Sequence, residues 1–498
     1  MRQSIIYAHK AFVNGKFEEN ITVRIVGDRI ASVTKERLPG FGGYLSIGPG
    51  YALLPAFVDT HTHMMGRGLH LIRPKLDRAT SLREALEIIE AAAKEYDLAE
   101  TIIIEGYDES NWPEGRAPTR QELDKVAPAR PVVIRRVCGH IGVANSKALS
   151  MIPEGTPGVD RRGGLLVEAV PINITRYFPP TDAELENALS AAQDEFFALG
   201  IGTVSDFGKM EFMKVYQDAF RRKKLKLRVY YSYYLELFDS IQSLGLQSGF
   251  GNNYLRIGGI KLFADGSVGA RTAAFFDPYE DDPENFGELF LDAKRITEIV
   301  RDAEEAGVQV IIHAIGDRAI EAAIDGISRG TNGRDNLLHH RIEHFEFPTK
   351  GQIERAASLN IRVSIQPNFA ARWGVPGGMY EKRLGKERMF RNNPIKSLID
   401  AGVRFAFGSD AMPPSPSLGI KAAMMHPIAR ERIDLETGIR LYTEAAQELM
   451  FMPGVGKIQR GYFADFVVVK LIDLSVQALS VGGDFVYIAP EYRNLFQM

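Results

Sequence analysis

The stretch Pro55-Ala-Phe-Val-Asp-Thr-His-Thr-His63 decides how the rest of the chain is interpreted. It begins as an apolar, strand-forming run and ends with two histidines that are two residues apart. Because side chains alternate along a strand, His61 and His63 are expected to point to the same side. Two imidazoles on one face can chelate a divalent metal, but such a pair also occurs for packing alone. The interpretation therefore depends on what the other strands contribute.

Seven further apolar, β-rich runs follow, with helical patterns between them, and this alternation is typical of βα units around a parallel sheet. With the first run they make eight strands, the number that a (β/α)8 barrel of the TIM type requires. The predicted barrel strands are Ala52–Asp59, Gly202–Asp206, Leu227–Tyr233, Arg256–Ala264, Val308–His313, Leu338–His344, Ile361–Gln366 and Val403–Gly408.

The remaining sequence predicts two additions to this α/β barrel. Thr101–Tyr107 and Pro131–Val137 also look like strands, but they lie in a stretch far longer than an ordinary βα connection. Residues 66–180 are therefore predicted to be an inserted subdomain, and 55–65 with 181–450 to be the barrel. Both chain ends are β-rich, so residues 1–54 and 451–498 are predicted to form one small composite β-sandwich.

Composition excludes several classes of protein. The 498 residues include 60 Lys and Arg against 63 Asp and Glu, a net charge of −3, which argues against a nucleic-acid-binding protein. No run of apolar residues is long enough for a membrane span, and the amino terminus does not resemble a signal peptide. The lone Cys138 cannot form an intramolecular disulfide and is expected to be a small buried residue. A soluble cytoplasmic protein is the expectation.

Three other predicted strands end at residues that bind metals. His313 and His344 close their strands, and Asp410 follows the last one. The carboxyl ends of barrel strands meet at one face, so these groups are expected to converge with the histidine pair. Four histidines and one aspartate at four such ends favour a metal site over packing.

Lys261 lies inside the fourth predicted strand, where an unpaired charge is costly. Two arrangements would resolve that cost, and the residues alone leave both open. The amine is either carboxylated, so that its carbamate bridges two metals, or paired with a carboxylate such as Asp265 or Asp59.

Several motifs together resemble one family. The chain is similar to the amidohydrolase superfamily, and more narrowly to its YtcJ-like (Amidohydro_3) branch, over essentially its whole length. Where that branch commonly has Asp-Gly-His, this chain has Cys138-Gly139-His140. Besides the opening stretch, the motifs are Lys261-Leu-Phe-Ala-Asp-Gly-Ser-Val-Gly-Ala-Arg-Thr272, His313-Ala-Ile-Gly-Asp317, Arg341-Ile-Glu-His344, Gly106-Tyr-Asp-Glu-Ser-Asn-Trp112, Arg136-Val-Cys-Gly-His140 and Gly461-Tyr-Phe-Ala-Asp-Phe-Val-Val-Val469.

The resemblance implies a binuclear centre with two divalent ions, typically zinc. His61 and His63 would bind one ion, His313 and His344 the other, and a carboxylated Lys261 would bridge both. Asp410 would also bind a metal, and it would act as general base and acid while a shared hydroxide attacks.

The predicted activity is hydrolysis of an amide-type carbon–nitrogen bond in a small molecule, with His140 and Arg271 as candidate substrate contacts. The alternatives are a cyclic amidase, an esterase or a deaminase of the same superfamily, or a non-catalytic metal-binding descendant. Neither nucleic acid nor membrane is expected as a partner, and a homodimer is the assembly considered.

Overall fold

The computed structural model describes residues 3–36 and 43–496. Within these residues, twenty strands form three sheets. They are β1 (Gln3–Val13), β2 (Lys16–Val26), β3 (Arg29–Thr34), β4 (Gly43–Ile47), β5 (Tyr51–Pro55), β6 (Phe57–Thr62), β7 (Ile102–Tyr107), β8 (Val132–Arg136), β9 (Ile141–Ala144), β10 (Leu165–Val167), β11 (Ile201–Gly208), β12 (Arg228–Tyr234), β13 (Leu255–Phe263), β14 (Gln309–Ala314), β15 (Arg341–His344), β16 (Arg362–Ile365), β17 (Arg404–Phe407), β18 (Phe466–Lys470), β19 (Val476–Val481) and β20 (Asp484–Ile488).

Helices occupy most of the connections between strands. They are α1 (Met64–Ile72), α2 (Leu82–Glu95), α3 (Arg120–Val126), α4 (Ser146–Met151), α5 (Ala169–Ile172), α6 (Ile174–Tyr177), α7 (Asp182–Ala198), α8 (Met210–Arg221), α9 (Phe238–Ser243), α10 (Ala293–Ala306), α11 (Asp317–Gly330), α12 (Lys350–Ser358), α13 (Pro367–Trp373), α14 (Met379–Met389), α15 (Ile395–Ala401), α16 (Pro416–Met424) and α17 (Leu435–Leu441).

Eight parallel strands form the barrel sheet, in the order β6-β11-β12-β13-β14-β15-β16-β17. The backbone N–H groups of Ser409 and Asp410, which follow β17, both donate to the carbonyl oxygen of His61 at 3.1 and 2.7 Å. These two bonds join the last strand to β6. The predicted (β/α)8 barrel is therefore confirmed, and each of its eight predicted strands overlaps an observed barrel strand.

The predicted first strand, Ala52–Asp59, is wrong in its bounds. The chain divides there into β5 and β6, which belong to different sheets. The change falls at Ala56, whose N–H donates to the carbonyl of Asp465 at 3.0 Å, whereas the next N–H, that of Phe57, donates to Gly200 at 2.9 Å. One continuous apolar run thus serves two sheets.

The terminal sheet consists of β1 to β5 and β18 to β20. Its path is β20-β19-β18-β5-β1-β2-β3, with β4 pairing in parallel along the first half of β1. Side chains from both chain ends, such as Ile6, Val23, Phe466 and Ala478, share one buried core. This confirms the predicted β-sandwich built from both ends. Residues 1, 2, 37–42, 497 and 498 of the predicted segments lie outside the described residues.

The chain divides into two compact units. Unit 1 comprises residues 1–64 and 193–498, and unit 2 comprises residues 65–192. Unit 2 has a four-stranded sheet of order β10-β9-β8-β7, so the two extra strand-like runs form β7 and β8 outside the barrel. Apolar side chains cover both faces of that sheet, because Ile102 and Ile104 belong to one buried cluster and Ile103 to another. Among the described residues, no helix is both long and apolar enough to cross a bilayer.

Candidate metal centre

The predicted ligands of unit 1 lie at or near the carboxyl edge of the barrel sheet. The first histidine lies in β6, and the second follows that strand. Three further ligands lie on β13, β14 and β15, and the aspartate comes three residues after β17. The strands are parallel, so these positions share one end of the sheet. The residues are His61, His63, Lys261, His313, His344 and Asp410.

Five of these side chains lie close together. Ligand atoms of His61, His344 and Asp410 are all within 4.8 Å of one another. Oδ1 of Asp410 is 3.5 Å from Nε2 of His61 and 3.2 Å from Nε2 of His63. The rings of His313 and His344 are 4.4 Å apart between centroids. Imidazole nitrogens and a carboxylate at these separations fit a divalent transition metal.

Lys261 is the sixth side chain, and it is 1% exposed. Its Nζ has no hydrogen-bond partner among the described residues and lies 4.7 Å from the ring centroid of Phe207. Burial lowers the pKa of this amine to about 8, against the opposing charges of Glu343 and Asp410. A buried amine without a partner fits a lysine that is carboxylated to a carbamate, which then binds a metal.

The carboxylates considered as partners for Lys261 are engaged elsewhere. Asp59 accepts hydrogen bonds from the Ser409 N–H at 2.9 Å and from the Ser409 hydroxyl. Asp265 accepts from the N–H groups of Ala274, Ile315 and Gly316 at 2.9 to 3.0 Å. Burial raises the pKa of each carboxyl to about 7.

Glu343 is a site residue that the sequence reasoning missed. Its Oε2 is hydrogen-bonded to Nδ1 of His61, and its Oε1 accepts from Nε of Arg341 at 2.6 Å. All three side chains are buried, and burial together with the charge of Lys261 keeps the pKa of His61 well below its usual value. A neutral His61 that donates from Nδ1 presents Nε2 to a metal, which is the arrangement that supporting carboxylates impose on metal-binding histidines.

His313 is oriented by the loop that follows β13. Its Nε2 lies 3.0 Å from the carbonyl oxygen of Gly266 and 3.5 Å from Oδ1 of Asp265. Burial, with the charge of Lys261, lowers the pKa of His313 to about 4, so the ring is neutral. An Nε2–H that donates to Gly266 leaves Nδ1 as the atom available to a metal ion.

Two of the ligands have a strained backbone. His344 has φ of +71° and Asp410 has φ of +54°, both in the left-handed region that residues with a side chain adopt rarely. Such conformations cluster at functional sites, where the surrounding structure holds them. At these two positions they turn the chain sharply where it leaves the sheet.

The candidate substrate contacts are occupied by intramolecular partners. In unit 2, Nδ1 of His140 is 3.0 Å from a carboxylate oxygen of Glu168. In unit 1, Arg271 donates to the Asp281 carboxylate from Nε at 3.1 Å and from Nη2 at 2.9 Å. Their contact with substrate stays a prediction. Cys138 is exposed, so the expectation of a buried residue was wrong.

Comparisons with known proteins identify the family of the chain. Residues 49–481 match the model of the Amidohydrolase family. The amidohydrolase YtcJ of Bacillus subtilis (strain 168) is 31% identical over 88% of this chain and 89% of its own. An N-substituted formamide deformylase of Arthrobacter pascens is 26% identical, covering 72% of this chain and 71% of its own.

A solved structure shares both the fold and part of the sequence. It is an uncharacterized metal-dependent hydrolase from Pyrococcus furiosus, with a TM-score of 0.82 and 26% identity over 94% of this chain and 99% of the other. Fold, side-chain arrangement and sequence similarity therefore agree. The chain belongs to the amidohydrolase family and is a metal-dependent hydrolase.

Proposed function

We propose that the protein hydrolyses an amide-type carbon–nitrogen bond of a small molecule with two divalent ions, zinc by preference. The observation that carries this proposal is the group of His61, His63, His344 and Asp410 beside the unpartnered, buried amine of Lys261. His61 and His63 would hold one ion and His313 and His344 the other, with a carboxylated Lys261 between them. The N-substituted formamide deformylase among the relatives supports an N-acyl or N-formyl amide as the substrate class.

Asp410 is the proposed proton carrier. Burial raises the pKa of its carboxyl, but the hydrogen bond with His63 and the charges of His61, His63 and Lys261 outweigh burial and lower it. The group is therefore ionised at neutral pH and able to accept a proton. Both histidines approach Oδ1, which leaves Oδ2 for the proton.

The proposed reaction needs one proton transferred twice. Divalent ions, when bound, supply an acidified water and polarise the substrate carbonyl. Asp410 takes a proton as the water oxygen bonds to the carbonyl carbon. It then returns that proton to the amide nitrogen as the carbon–nitrogen bond breaks, because an unprotonated amine leaves poorly.

An activity screen tests this proposal. We expect zinc- or manganese-loaded protein to hydrolyse a member of a panel of N-acyl, N-formyl and cyclic amides. Asp410→Asn should lower kcat by roughly 10²- to 10⁴-fold, the usual contribution of a general acid–base group. Metal content, measured by mass spectrometry, should still show bound metal. Absence of turnover on every class with both metals, or full activity in Asp410→Asn, would contradict the proposal.

Lys261→Ala tests the bridge between the ions. We expect the variant to lose activity and part of its metal, because Lys261 is the proposed bridge and no other lysine is buried among the described residues. Added short carboxylates should restore some activity by replacing the carbamate. Lys350→Ala, whose side chain is 91% exposed, is the control and should behave like the parent protein. Two ions and full activity in Lys261→Ala would show that the lysine does not bridge.

A further inference from the structure

Unit 2 contains a cavity of about 360 Å³. Its polar lining is largely cationic. Arg73, which follows α1, and Arg135 of β8 both line it, together with His70 and Glu105. The side chain of Arg73 is only 3% exposed, so this cation is held away from water.

Glu105 holds the cations of this cavity together. Its Oε2 is bonded to Nδ1 of His70 and accepts from Nζ of Lys75 at 3.2 Å. Its Oε1 accepts from Nη1 of Arg135 at 3.1 Å and lies 3.8 Å from Nη1 of Arg73. Burial opposes ionisation, but the His70 hydrogen bond and the neighbouring cations hold the pKa of Glu105 well below its usual range. The carboxylate is thus a fixed anion that several cations share.

The ionic cluster around Glu105 contains more cations than carboxylates. Arg73, Lys75 and Arg135 carry three positive charges, whereas Glu105 and Glu184 supply two negative ones. Glu184 accepts from Nε of Arg73 at 3.0 Å and is itself buried. Within this cluster three cations therefore share two carboxylates, while Asp108 and Glu109 pair with Arg136.

Two guanidinium N–H groups at the cavity lack an acceptor. Nη2 of Arg73 and Nε of Arg135 are buried and make no hydrogen bond with any residue that the structure describes. Arg136 also lines the cavity, but its guanidinium is bound to Asp108 at 3.2 Å and Glu109 at 3.0 Å. The unused donors therefore belong to Arg73 and Arg135.

We propose that this cavity binds the carboxylate of a small, partly apolar organic acid through Arg73 and Arg135. A carboxylate is planar and negatively charged, so it can pair with a guanidinium and accept from the unused donors of Arg73 and Arg135. Leu69, Val137 and Ile174 line the same cavity and offer apolar contacts to the rest of the acid. Inorganic phosphate has no apolar part that could use these contacts.

The test uses isovalerate as the probe and the zinc-loaded full chain. Saturation-transfer difference NMR should detect binding of isovalerate and not of the uncharged isoamyl alcohol. Arg135→Gln should weaken binding by about tenfold or more, the usual effect of losing a hydrogen bond to a charged group. Arg83→Gln, at a side chain that is 85% exposed in the same unit, should leave binding unchanged.

Further measurements identify other sources of binding. Isovalerate should bind with the same affinity after chelation of zinc, and loss of binding on chelation would place the acid on the metal and overturn the proposal. Inorganic phosphate should compete poorly, and tighter binding of phosphate would overturn the carboxylate assignment. If Arg135→Gln does not fold, Arg135→Lys keeps the charge without the Nε donor and should still weaken binding. Unchanged binding in a folded variant of Arg135 would overturn the site.

Discussion

Glu343 connects the metal centre to the interior of the barrel. On one side it holds His61, and on the other it holds Arg341, whose Nη2 donates to the hydroxyl of Ser205 at 2.9 Å and to the Thr60 carbonyl at 3.1 Å. The contacts of Arg341 fix the position of Glu343, and Glu343 in turn fixes the ring of His61. The orientation of the His61 ring therefore depends on the buried ion pair between Glu343 and Arg341.

Glu343→Gln should weaken metal binding by about 10- to 100-fold, the usual effect of losing a carboxylate that supports a metal-binding histidine. Stability should also fall by roughly 3–5 kcal/mol, because Arg341 would keep its buried charge without a counter-ion. Competition with a chelator measures the first effect and urea unfolding the second. Glu354→Gln, at a side chain that is 62% exposed, is the control. Equal zinc affinity in both variants would show that Glu343 does not support His61.

The sequence allowed the metal ligands to be predicted one by one. It did not predict Glu343, the carboxylate that holds one of them. His61, His63, His313, His344 and Asp410 could be assigned because strand ends meet at one face of a barrel. Glu343 stands in the quoted Arg341-Ile-Glu-His344 motif, and alternation places it on the same face as Arg341. Its bond to a histidine 282 residues away has no local signal.

At the scale of elements, the contact between β17 and β6 depends on Gly408. Its N–H donates to the carbonyl of Ile365 at 2.9 Å. A Cβ at this position would lie 2.7 Å from both the backbone N and the Cβ of His61. Both atoms are fixed by the strand, so a side chain here would push β6 away. This glycine is required by the close approach of two strands.

Gly408→Ala should destabilise the protein by about 1–3 kcal/mol, the usual cost of overpacking a buried position. It should also lower zinc content, because His61 lies directly against the added methyl group. Gly351→Ala on α12 is the matched control, since a Cβ there meets nothing within 4 Å and alanine favours helix. Urea unfolding and metal analysis check both effects. A Gly408→Ala variant as stable as Gly351→Ala would contradict the close contact.

The error in the predicted bounds of the first barrel strand, Ala52–Asp59, comes from how β5 and β6 are buried. Residues 52–58 are all apolar, and every residue of β5 and β6 except Tyr51 is buried. A run that is buried on both faces shows no alternation that would mark where it leaves one sheet for another. The boundary at Ala56 is set by pairing with Asp465 and Gly200, which local sequence does not reveal.

At the scale of the whole molecule, one ion pair joins the barrel to the terminal sheet within unit 1. Nε of Arg228 on β12 donates to Oδ2 of Asp465 at 2.7 Å, and Nη2 donates to Oδ1 at 2.9 Å. The guanidinium also lies 3.7 Å from the ring centroid of Phe463. Both charged side chains are nearly inaccessible to water, at 0% and 4% exposure. The ion pair between Arg228 and Asp465 is therefore bidentate and shielded from water.

Asp465→Ala should destabilise unit 1 by roughly 3–5 kcal/mol, because Arg228 would be left as an unpaired buried cation. Asp400→Ala is the control, since that aspartate is 62% exposed and paired only with a surface lysine. An exposed pair contributes about 0–1 kcal/mol, so the two variants should differ clearly in urea unfolding. Equal midpoints for the two variants would refute a stabilising role for the buried pair.

The terminal sheet also has a consequence for synthesis on the ribosome. β5 pairs along its whole length with β18, and residues 56–465 separate the two strands. At about 5–20 residues per second, translation of that interval takes roughly 20–80 seconds. Throughout this time the nascent amino-terminal strands have an open edge, the kind of edge that pairs with other chains. The emerging chain must therefore be shielded, by chaperones or by delayed folding, until β18 (Phe466–Lys470) has been made.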